Sequence, residues 1–235
     1  MTQETLDKSP QAIRGMFTRI AGRYDLLNRL ISLGNDMRLR REMIAHFWGR
    51  QVQRIADIGC GTGDVSILLA KAHTDSMVLA CDMTLEMIRV GKTRTQAPNI
   101  HWVVCDSTQM PFASDLVDGV VSAYLLRNVL NLPAVLKEQA RITRTNGLFL
   151  ALEMTPPRSK FLYPFVWLYF HTVIPLLGWL VAGNPKAYQY LPSSSLQFLP
   201  AEELSQQVNQ NGWHNASLKR KMMGVMAIHR AERLA

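Results

Sequence analysis

The sequence is most constrained by the stretch RIADIGCGTGD at residues 54–64. An apolar run, typical of a buried strand, leads directly into Gly59, Gly61 and Gly63, and a helical pattern begins at about Val65. Glycine has no Cβ, so such a turn can bend sharply and lie against a ligand. The first N–H groups of the following helix also lack partners within the helix. The stretch predicts a ligand site in an α/β fold, although Gly-x-Gly-x-Gly alone is a weak signal for any one ligand.

Two acidic residues narrow the choice of ligand. Asp57 lies inside the strand, where an ionised carboxylate is costly unless a positive charge meets it. A second apolar run, residues 77–82, ends in Asp82 about 20 residues after the turn, where folds of this type hold a ribose hydroxyl. The pyrophosphate of a dinucleotide would be repelled by Asp57, whereas an ammonium, a sulfonium and a ribose suit both acids. S-adenosylmethionine (SAM) has all three groups, and the stretch resembles class I SAM-dependent methyltransferases.

Composition excludes several classes of protein. The chain has 235 residues, of which 48% are apolar, so it can bury a substantial core as one domain with additions. Its net charge of +8 suits a basic soluble protein, an anionic membrane surface or nucleic acid. No nucleic-acid recognition motif is present, so we expect no nucleic-acid partner. Cys60, Cys81 and Cys105 follow the first three strand patterns and form no CxxC pair. We expect them to be small core residues, without a disulfide framework or a metal site.

Strand and helix patterns alternate from residue 49 to 154, and the last strand, Leu148–Glu153, follows the pair Asn146-Gly147. This alternation predicts an α/β fold with a doubly wound, mostly parallel sheet and helices on both faces. By resemblance, the sheet has seven strands and is Rossmann-like. The expected divisions are an N-terminal helical flap at 1–48, a SAM-binding core at 49–154, an apolar substrate-binding insertion at 155–200, and a C-terminal helix and antiparallel strand pair at 201–235.

The helical pattern at residues 11–48 has two interpretations. It fits helices that pack on the core and end in a solvated basic segment that includes Arg40. It fits equally a flap over the SAM pocket that carries Tyr24, Asp25 and Asn28, because amphipathicity alone does not distinguish the two.

The insertion contains a nearly continuous apolar segment at residues 161–182. The segment approaches the length of a membrane span, but Pro164, His171, Pro175 and Gly178 interrupt it. A spanning helix, a buried helical excursion, and an apolar cap that binds a lipophilic substrate and touches the bilayer all remain open. Its Trp and Tyr content favours the cap. Since the polar N-terminus carries no signal peptide, we expect a cytoplasmic protein, peripheral at the inner face of the membrane.

Motifs over nearly the whole chain give a closer resemblance. They are Phe17-x-x-Ile20-Ala21-x-x-Tyr24-Asp25-x-x-Asn28, the glycine turn, Asp106-x-x-x-Met-Pro-Phe112, Leu126-Arg127-Asn128-Val129, Glu138-x-x-Arg141 and Tyr188-x-Tyr190-Leu191. This set resembles the ubiquinone/menaquinone biosynthesis C-methyltransferases, and the Arg-Asn pair and the Tyr-x-Tyr-Leu segment are its most specific parts. One departure is Ala123-Tyr124-Leu125, where the family often has a serine, an aromatic residue and a glycine. The departure removes a polar contact to the cofactor and changes the pocket.

The resemblance implies a reaction and a set of site residues. Members methylate a ring carbon of a reduced polyprenyl quinone precursor with SAM, so we expect a lipophilic quinol as substrate and leave a homodimer open. Asp82 would hold the ribose hydroxyls, and Asp106 would face the adenine amino group. The expected cofactor-binding residues are Asp57, Gly59, Gly61, Thr62, Gly63, Asp82, Met83, Asp106 and Ser107. The expected substrate-binding residues are Tyr188, Tyr190 and His171.

The expected catalytic residues are Arg127, Asn128, Tyr24 and Asp25. Arg127 would stabilise a substrate phenolate, or else form a structural ion pair with Glu153 or Asp118. Asn128 would orient a ring oxygen or hold its loop, and Tyr24, Asp25, His171 and Tyr188 are candidates for the base. The alternatives for the whole chain are a methyltransferase of another lipophilic or phenolic molecule and a non-catalytic, membrane-associated relative. An NAD(P)-dependent oxidoreductase would need Gly-x-Gly-x-x-Gly spacing, which the turn does not have.

Overall fold

The computed structural model describes residues 9–32, 34–159, 161, 163–174, 176, 194 and 198–234. Seven strands form one sheet in the order β3-β2-β1-β4-β5-β7-β6. The strands are β1 (Arg54–Ile58), β2 (Met77–Asp82), β3 (Ile100–Val104), β4 (Val117–Ala123), β5 (Thr143–Met154), β6 (His214–Lys221) and β7 (Met226–Glu232). The first five pair in parallel, and β7 lies antiparallel between β5 and β6. The predicted α/β architecture is therefore confirmed.

Helices connect and flank the strands. They are α1 (Pro10–Ile20), α2 (Tyr24–Ile31), α3 (Asn35–Ile44), α4 (Asp64–Ala72), α5 (Leu85–Arg94), α6 (Leu132–Ile142), α7 (Tyr163–Leu168) and α8 (Ala201–Gln210). In the described part of the chain the N-terminal pattern forms three α-helices, and Gly34, with a φ of 77° that glycine readily adopts, lies directly before α3. Helix α6 starts where Asn131 accepts a hydrogen bond from the Ala134 N–H at 3.1 Å and a proline occupies the first turn.

The core has two layers, one on each face of the sheet. Successive side chains of a strand point to opposite faces, so Ile55 packs with α3 and α4 while Ala56 packs with α6 and α8. Trp213 is fully buried in the second layer, and its indole N–H donates to the Leu136 carbonyl at 3.1 Å. The two layers fix the strands so that all parallel carboxyl ends meet at one edge.

Strand β5 is longer than predicted. The sequence places its start at Leu148, after a turn at Asn146-Gly147, but the strand begins at Thr143. The pair instead lies inside the strand, where the pairing register with β4 shifts and Asn146 has a φ of 62°. A residue with positive φ inside a strand is typical of a bulge, and Asn is among the residues that tolerate it.

The apolar insertion is described in part. Helix α7 continues into a π-helical turn at Tyr169–Val173, and most of its large apolar side chains are exposed. No helix in the described part of the chain is long and apolar enough to cross a bilayer. Tyr188 and Tyr190 lie outside the described residues. The assignment of 155–200 as a separate substrate-binding unit stays a prediction.

Candidate active site

A cavity of about 440 Å³ lies beyond the carboxyl ends of β1, β2, β3 and β4. Its volume falls within the range of about 300–1,000 Å³ that is typical of small-molecule sites. Of the predicted cofactor-binding residues, Gly59, Gly61, Asp82, Met83, Asp106 and Ser107 line it. Helices α1 and α2 close one side with Ile13, Phe17 and Tyr24. Helices α1 and α2 therefore form part of the cavity wall. The assignment of residues 1–48 as a flap stays a prediction.

The glycine turn is held in one conformation by its neighbours. Gly59, Gly61 and Gly63 all have positive φ, which disfavours other residues there. The Cys60 N–H donates to the Cys81 carbonyl at 2.9 Å and ties the turn to β2. A Cβ added to Gly63 would lie 2.4 Å from the ring of Trp102, so glycine is required there for packing as well.

Asp82 connects the turn to the next helix. Its carboxylate accepts hydrogen bonds from the Gly61 N–H at 2.9 Å and from the Thr84 N–H at 2.8 Å, just before α5. Burial raises the pKa of Asp82, and the backbone hydrogen bonds oppose that rise. Asp106, at the end of β3, accepts from the Thr108 N–H at 2.8 Å and hydroxyl at 2.7 Å. Both acids are therefore held in place along the cavity wall.

Asp57 lies deeper, beside a narrow cleft of about 20 Å³ behind the turn. The cleft and the cavity share the wall residues Tyr24, Gly59, Gly61 and Ala123. The Asp57 carboxylate accepts a hydrogen bond from the Ser66 hydroxyl at 2.5 Å. Desolvation by burial raises the pKa of Asp57 to about 7. The energetic cost that the sequence predicts for this charge is therefore present in the fold.

Among the described residues, five carboxylates are buried, and Asp57 alone among them makes no ion pair. The other four each face an arginine; they are Asp36, Asp64, Asp118 and Glu153. A buried carboxylate without a cationic partner suits a ligand that brings its own positive charge. The residues at the turn thus fit the ammonium group of SAM.

Thr62 is engaged with the N-terminal helices. Its hydroxyl donates to Asp25 at 2.5 Å, and Arg94 donates to the Thr62 carbonyl at 2.8 Å. Arg94 also pairs with Asp25 at 3.0 Å and with Asp64 at 2.7 Å. These contacts fasten the start of α2 to the glycine turn. Sequence reasoning missed Arg94 and Asp64, and nothing in the helical pattern of α5 distinguishes Arg94 from a surface residue.

Arg40 is buried, so the interpretation of its basic segment as solvated is wrong for this residue. Only 3% of Arg40 is exposed, and its guanidinium pairs with Asp36 at 2.7 Å and with Asp64 at 3.7 Å. Its Cζ also lies 5.1 Å from the centre of the Tyr124 ring. Helix α3 therefore turns this arginine inward, because buried acids are available there to compensate its charge.

Arg127 and Asn128 hold the loop after β4. Arg127 is buried, forms an ion pair with Glu153 and lies 5.1 Å from the Tyr124 ring centre, and it is not part of the described cavity wall. The side-chain amide of Asn128 donates to the Tyr124 carbonyl at 2.9 Å, and the residue also lines the cavity. The structural ion pair and the loop-holding role, both considered from the sequence, are thus present. The catalytic roles stay predictions.

Leu125 shows what the departure from the family pattern does. A Cβ added to Gly59 would lie 2.7 Å from the Leu125 Cδ1, so the leucine packs directly over the first glycine of the turn. Leu125 and the largely exposed Leu130 both line the cavity. The pocket is therefore more apolar at this corner than a serine and a glycine would make it.

His171 lies away from the cavity. It is exposed, and its ring stacks on Trp167 with the ring centres 4.2 Å apart. Its Nδ1 is 2.8 Å from the Trp167 carbonyl oxygen one turn earlier in the same helical segment. These contacts place His171 on the surface of the insertion, and a substrate-binding role for it stays a prediction.

A model of the ubiE/COQ5 methyltransferase family matches residues 4–233. A ubiquinone/menaquinone biosynthesis C-methyltransferase of Desulfotalea psychrophila is 36% identical over 224 residues, which cover 95% of this chain and 91% of that protein. A demethylmenaquinone methyltransferase of Roseiflexus castenholzii is 33% identical and covers 95% of this chain and 94% of the relative. A solved SAM-dependent methyltransferase of Thermotoga maritima superimposes with a TM-score of 0.65 at 15% identity, covering 94% and 99% of the two chains, which supports the fold alone.

The family model and both relatives extend over nearly the full length of the chain, including the N-terminal helices and the last strand pair. The chain therefore belongs to the ubiE/COQ5 methyltransferase family and is a SAM-dependent methyltransferase.

Proposed function

We propose that this enzyme transfers the methyl group of SAM to a ring carbon of a reduced polyprenyl quinone precursor, a demethylmenaquinol or a related benzoquinol. The names of the curated relatives support this substrate class. The observation that carries the proposal is the combination at one sheet edge of fixed carboxylates with a largely apolar wall. The carboxylates suit a cationic methyl donor, and the apolar wall suits a lipophilic ring.

The residues proposed to bind SAM lie on both sides of the glycine turn, some along the cavity and some beside the narrow cleft. Asp82 is fixed by two backbone N–H groups and would accept hydrogen bonds from the ribose hydroxyls. Asp106, which accepts from the Thr108 N–H, would accept a further hydrogen bond from the adenine amino group. Asp57, beside the narrow cleft, would meet the ammonium group. Thr62 supports this arrangement through Asp25 and Arg94. SAM supplies an electrophilic methyl group, so the residues of the chain need only hold it near the acceptor and exclude water.

The residues near the loop after β4 would orient the ring. Burial raises the pKa of Tyr24, so its phenol stays protonated and can donate a hydrogen bond to a ring oxygen. Arg127 and Glu153 form an ion pair with no net charge. Arg127 would therefore stabilise a substrate phenolate only through the dipole of the pair, whose positive end is the guanidinium. Asp25 is engaged with Thr62 and Arg94, and we assign it a positioning role. Asn128 would hold the loop that carries Leu125.

The exposed face of α7 would contact the membrane in which the substrate dissolves. Phe165 and Trp167 in α7 expose 62% and 46% of their surface, and Phe161, just before the helix, exposes 77%. Aromatic residues of this kind bind at the boundary between headgroups and acyl chains. The chain's net charge of +8 favours an anionic bilayer. We therefore propose that the enzyme acts at the inner face of the membrane, beside its substrate.

The test is incubation with methyl-labelled SAM and a panel of reduced demethylated quinones, followed by mass spectrometry of the lipid extract. We expect one methyl group on the ring of a polyprenyl quinol, and no product from the oxidised quinone because its ring is not nucleophilic. Asp82→Ala should abolish SAM binding in calorimetry, with Asp75→Ala, an exposed acid, as the matched control. Methylation of unrelated phenols but not of quinols would replace the proposed substrate. Absence of SAM binding by the native protein would indicate a non-catalytic relative.

A further inference from the structure

Tyr124 has a backbone conformation that is unusual for its residue type. It directly follows β4 and has a φ of 63°, in the left-handed region that disfavours large side chains. The residue is nevertheless only 7% exposed, and it lies on the wall of the cavity. Such a conformation persists only where the surrounding structure enforces it, and residues of this kind cluster at functional sites. The backbone at Tyr124 therefore indicates a role at this site beyond packing.

Hydrogen bonds fix the direction of the chain at Tyr124. Its N–H donates to the Leu152 carbonyl at 2.8 Å, which continues the pairing of β4 with β5. Its carbonyl accepts from the Asn128 side chain at 2.9 Å, and the Asn128 N–H donates to the Leu125 carbonyl at 2.8 Å. The turn at Tyr124 thus leads the chain into a short loop at residues 125–128, whose two ends are tied to each other.

Two buried arginines lie over the Tyr124 ring. The Cζ atoms of Arg40, from α3, and of Arg127, from the loop, are each 5.1 Å from the ring centre. Burial raises the pKa of Tyr124 to about 12, so the phenol is neutral and attracts the two guanidinium groups through its π system. The hydroxyl donates to the Met226 sulfur at 3.6 Å, and a thioether is a weak acceptor. The ring, more than the hydroxyl, therefore holds the arginines.

The arginines connect the ring to parts of the site that are distant in the sequence. Arg40 lies 3.7 Å from the carboxylate of Asp64, the first residue of α4, which directly follows the glycine turn. Arg127 belongs to the loop itself, and Leu125 of the same loop packs over the first glycine of that turn. Without the Tyr124 ring, the loop loses the contact that joins it to α3, and it can move relative to the glycine turn.

We propose that Tyr124 is a positioning residue for methyl transfer, and that its ring keeps loop 125–128 where the acceptor meets the methyl donor. Tyr124 acts through the loop, whose Leu125 and Asn128 line the cavity. Transfer requires the reacting atoms to be in line, so a displacement of about 1 Å can lower the rate about 100-fold. The inference rests on the proposed function only in that the acceptor is taken to contact this loop.

The experiment compares Tyr124→Phe, which keeps the ring, with Tyr124→Leu, which removes it. Calorimetry with S-adenosylhomocysteine gives the affinity and the number of folded binding sites, and turnover of a reduced demethylated quinone is divided by that number. Tyr124→Leu should lower kcat per site about tenfold or more, whereas Tyr124→Phe should stay within about twofold of the native protein. The affinity should change by no more than about twofold in either variant, because Asp57, Asp82 and Asp106 are untouched.

Phe149→Leu is the matched control. It also removes a buried ring, but from the other layer of the core, where Phe149 packs against Trp213 with the ring centres 5.0 Å apart. This variant should lower the free energy of unfolding and leave kcat per site unchanged. It therefore separates a loss of stability from a displacement of the loop.

Amide hydrogen exchange supplies a readout that needs no acceptor. The amides of residues 125–128 should exchange about tenfold or more faster in Tyr124→Leu than in the native protein, and no faster in Phe149→Leu. If Tyr124→Leu does not fold, phenylalanines that carry one, two or three fluorine atoms at position 124 replace it. They keep the shape of the ring and progressively weaken its attraction for cations, so kcat per site should fall with each fluorine.

Several results would overturn the inference and leave the proposed function standing. They are unchanged turnover per site or unchanged loop exchange in Tyr124→Leu, an equal loss of turnover in Tyr124→Phe, and a loss of ligand affinity as large as the loss of turnover. A fluorinated series with constant turnover would do the same. If the native protein methylates no quinol, the proposed function fails, and loop exchange alone decides the role of Tyr124.

Discussion

The raised pKa of the buried Asp57 carboxyl group predicts that ligand binding releases a proton. Its ordinary pKa near 3.8 is raised to about 7 by burial. A folded-state pKa above the unfolded value means that folding disfavours the ionised form. The protein without ligand therefore loses stability from this group as the pH rises from about 4 to 7, with no further loss above pH 7. A ligand ammonium group that meets the carboxylate favours ionisation and returns its pKa towards the ordinary value.

The size of the effect follows from the shift. A rise of about three pKa units corresponds to about 4 kcal/mol, which is an upper estimate for the cost of the ionised group at pH 8. At pH 6 the carboxyl group of the unliganded protein is about nine-tenths protonated, and at pH 8 about one-tenth. Binding should therefore release about 0.9 protons at pH 6 and about 0.1 at pH 8.

Calorimetric titration with S-adenosylhomocysteine, in pairs of buffers with different ionisation enthalpies, measures this release directly. Asp57→Asn should abolish the release at pH 6 and weaken binding roughly 10- to 100-fold, because one charged hydrogen-bond partner is lost. The same variant should be more stable than the native protein at pH 8 when no ligand is present. Asp118→Asn is the matched control, since Asp118 is buried at the opposite end of the strands and pairs with Arg144. It should lower stability and leave proton release unchanged. Equal heats in both buffers at pH 6, or undiminished release by Asp57→Asn, would refute the reasoning.

Three further predictions concern the fold and the loop. Gly63→Ala should lower the free energy of unfolding in urea by at least about 2 kcal/mol, because of its positive φ and the indole packed against it, whereas Gly22→Ala, which meets no neighbour, should not. The pKa of His229 is lowered to about 4 by burial, so about 3 kcal/mol of stability should be lost as the pH falls from 6.5 towards 4. His229→Leu should flatten this dependence in urea titrations at pH 7 and 4.5, and an unchanged slope would contradict it. Arg127→Met should cost about 3–5 kcal/mol by leaving Glu153 unpaired. Compared with the single variant, the double variant Arg127→Met/Glu153→Met should regain stability and ligand affinity but not turnover. Full turnover by the double variant would show that Arg127 has only a structural role.

The sequence predicts the sheet well because its parallel strands are buried on both faces. Strands of this kind read as continuous apolar runs, and β2 begins and ends at the predicted residues 77 and 82. The end of each run also places Asp82 and Asp106 at one edge, so the cavity and its acidic residues could be anticipated. The start of β5 could not, because Asn146-Gly147 is a turn signal in most contexts and here lies in an irregular part of the strand.

The inward position of Arg40 could not be predicted from the sequence. Arg40 and Arg41 are neighbours in a basic segment, yet only Arg40 faces Asp36 and Asp64 from inside the fold. The direction in which an arginine points depends on acids that are distant in sequence, and helical periodicity does not report them. The same holds for Arg94, which reaches the glycine turn from α5.

The placement of these arginines explains how a protein with a net charge of +8 can offer a negative site. Arg40, Arg94 and Arg127 pair with carboxylates behind the turn and after β4, so their charges are compensated within the fold. Asp57 and Asp82 have no ion pair with any residue that the structure describes, so in their ionised forms they make the potential near the strand ends negative. SAM loses its sulfonium charge when the methyl group leaves, so such a potential binds the donor more tightly than the product. The carboxylates therefore hold the donor more tightly than the product, and neutralising either one should bring the two affinities closer together.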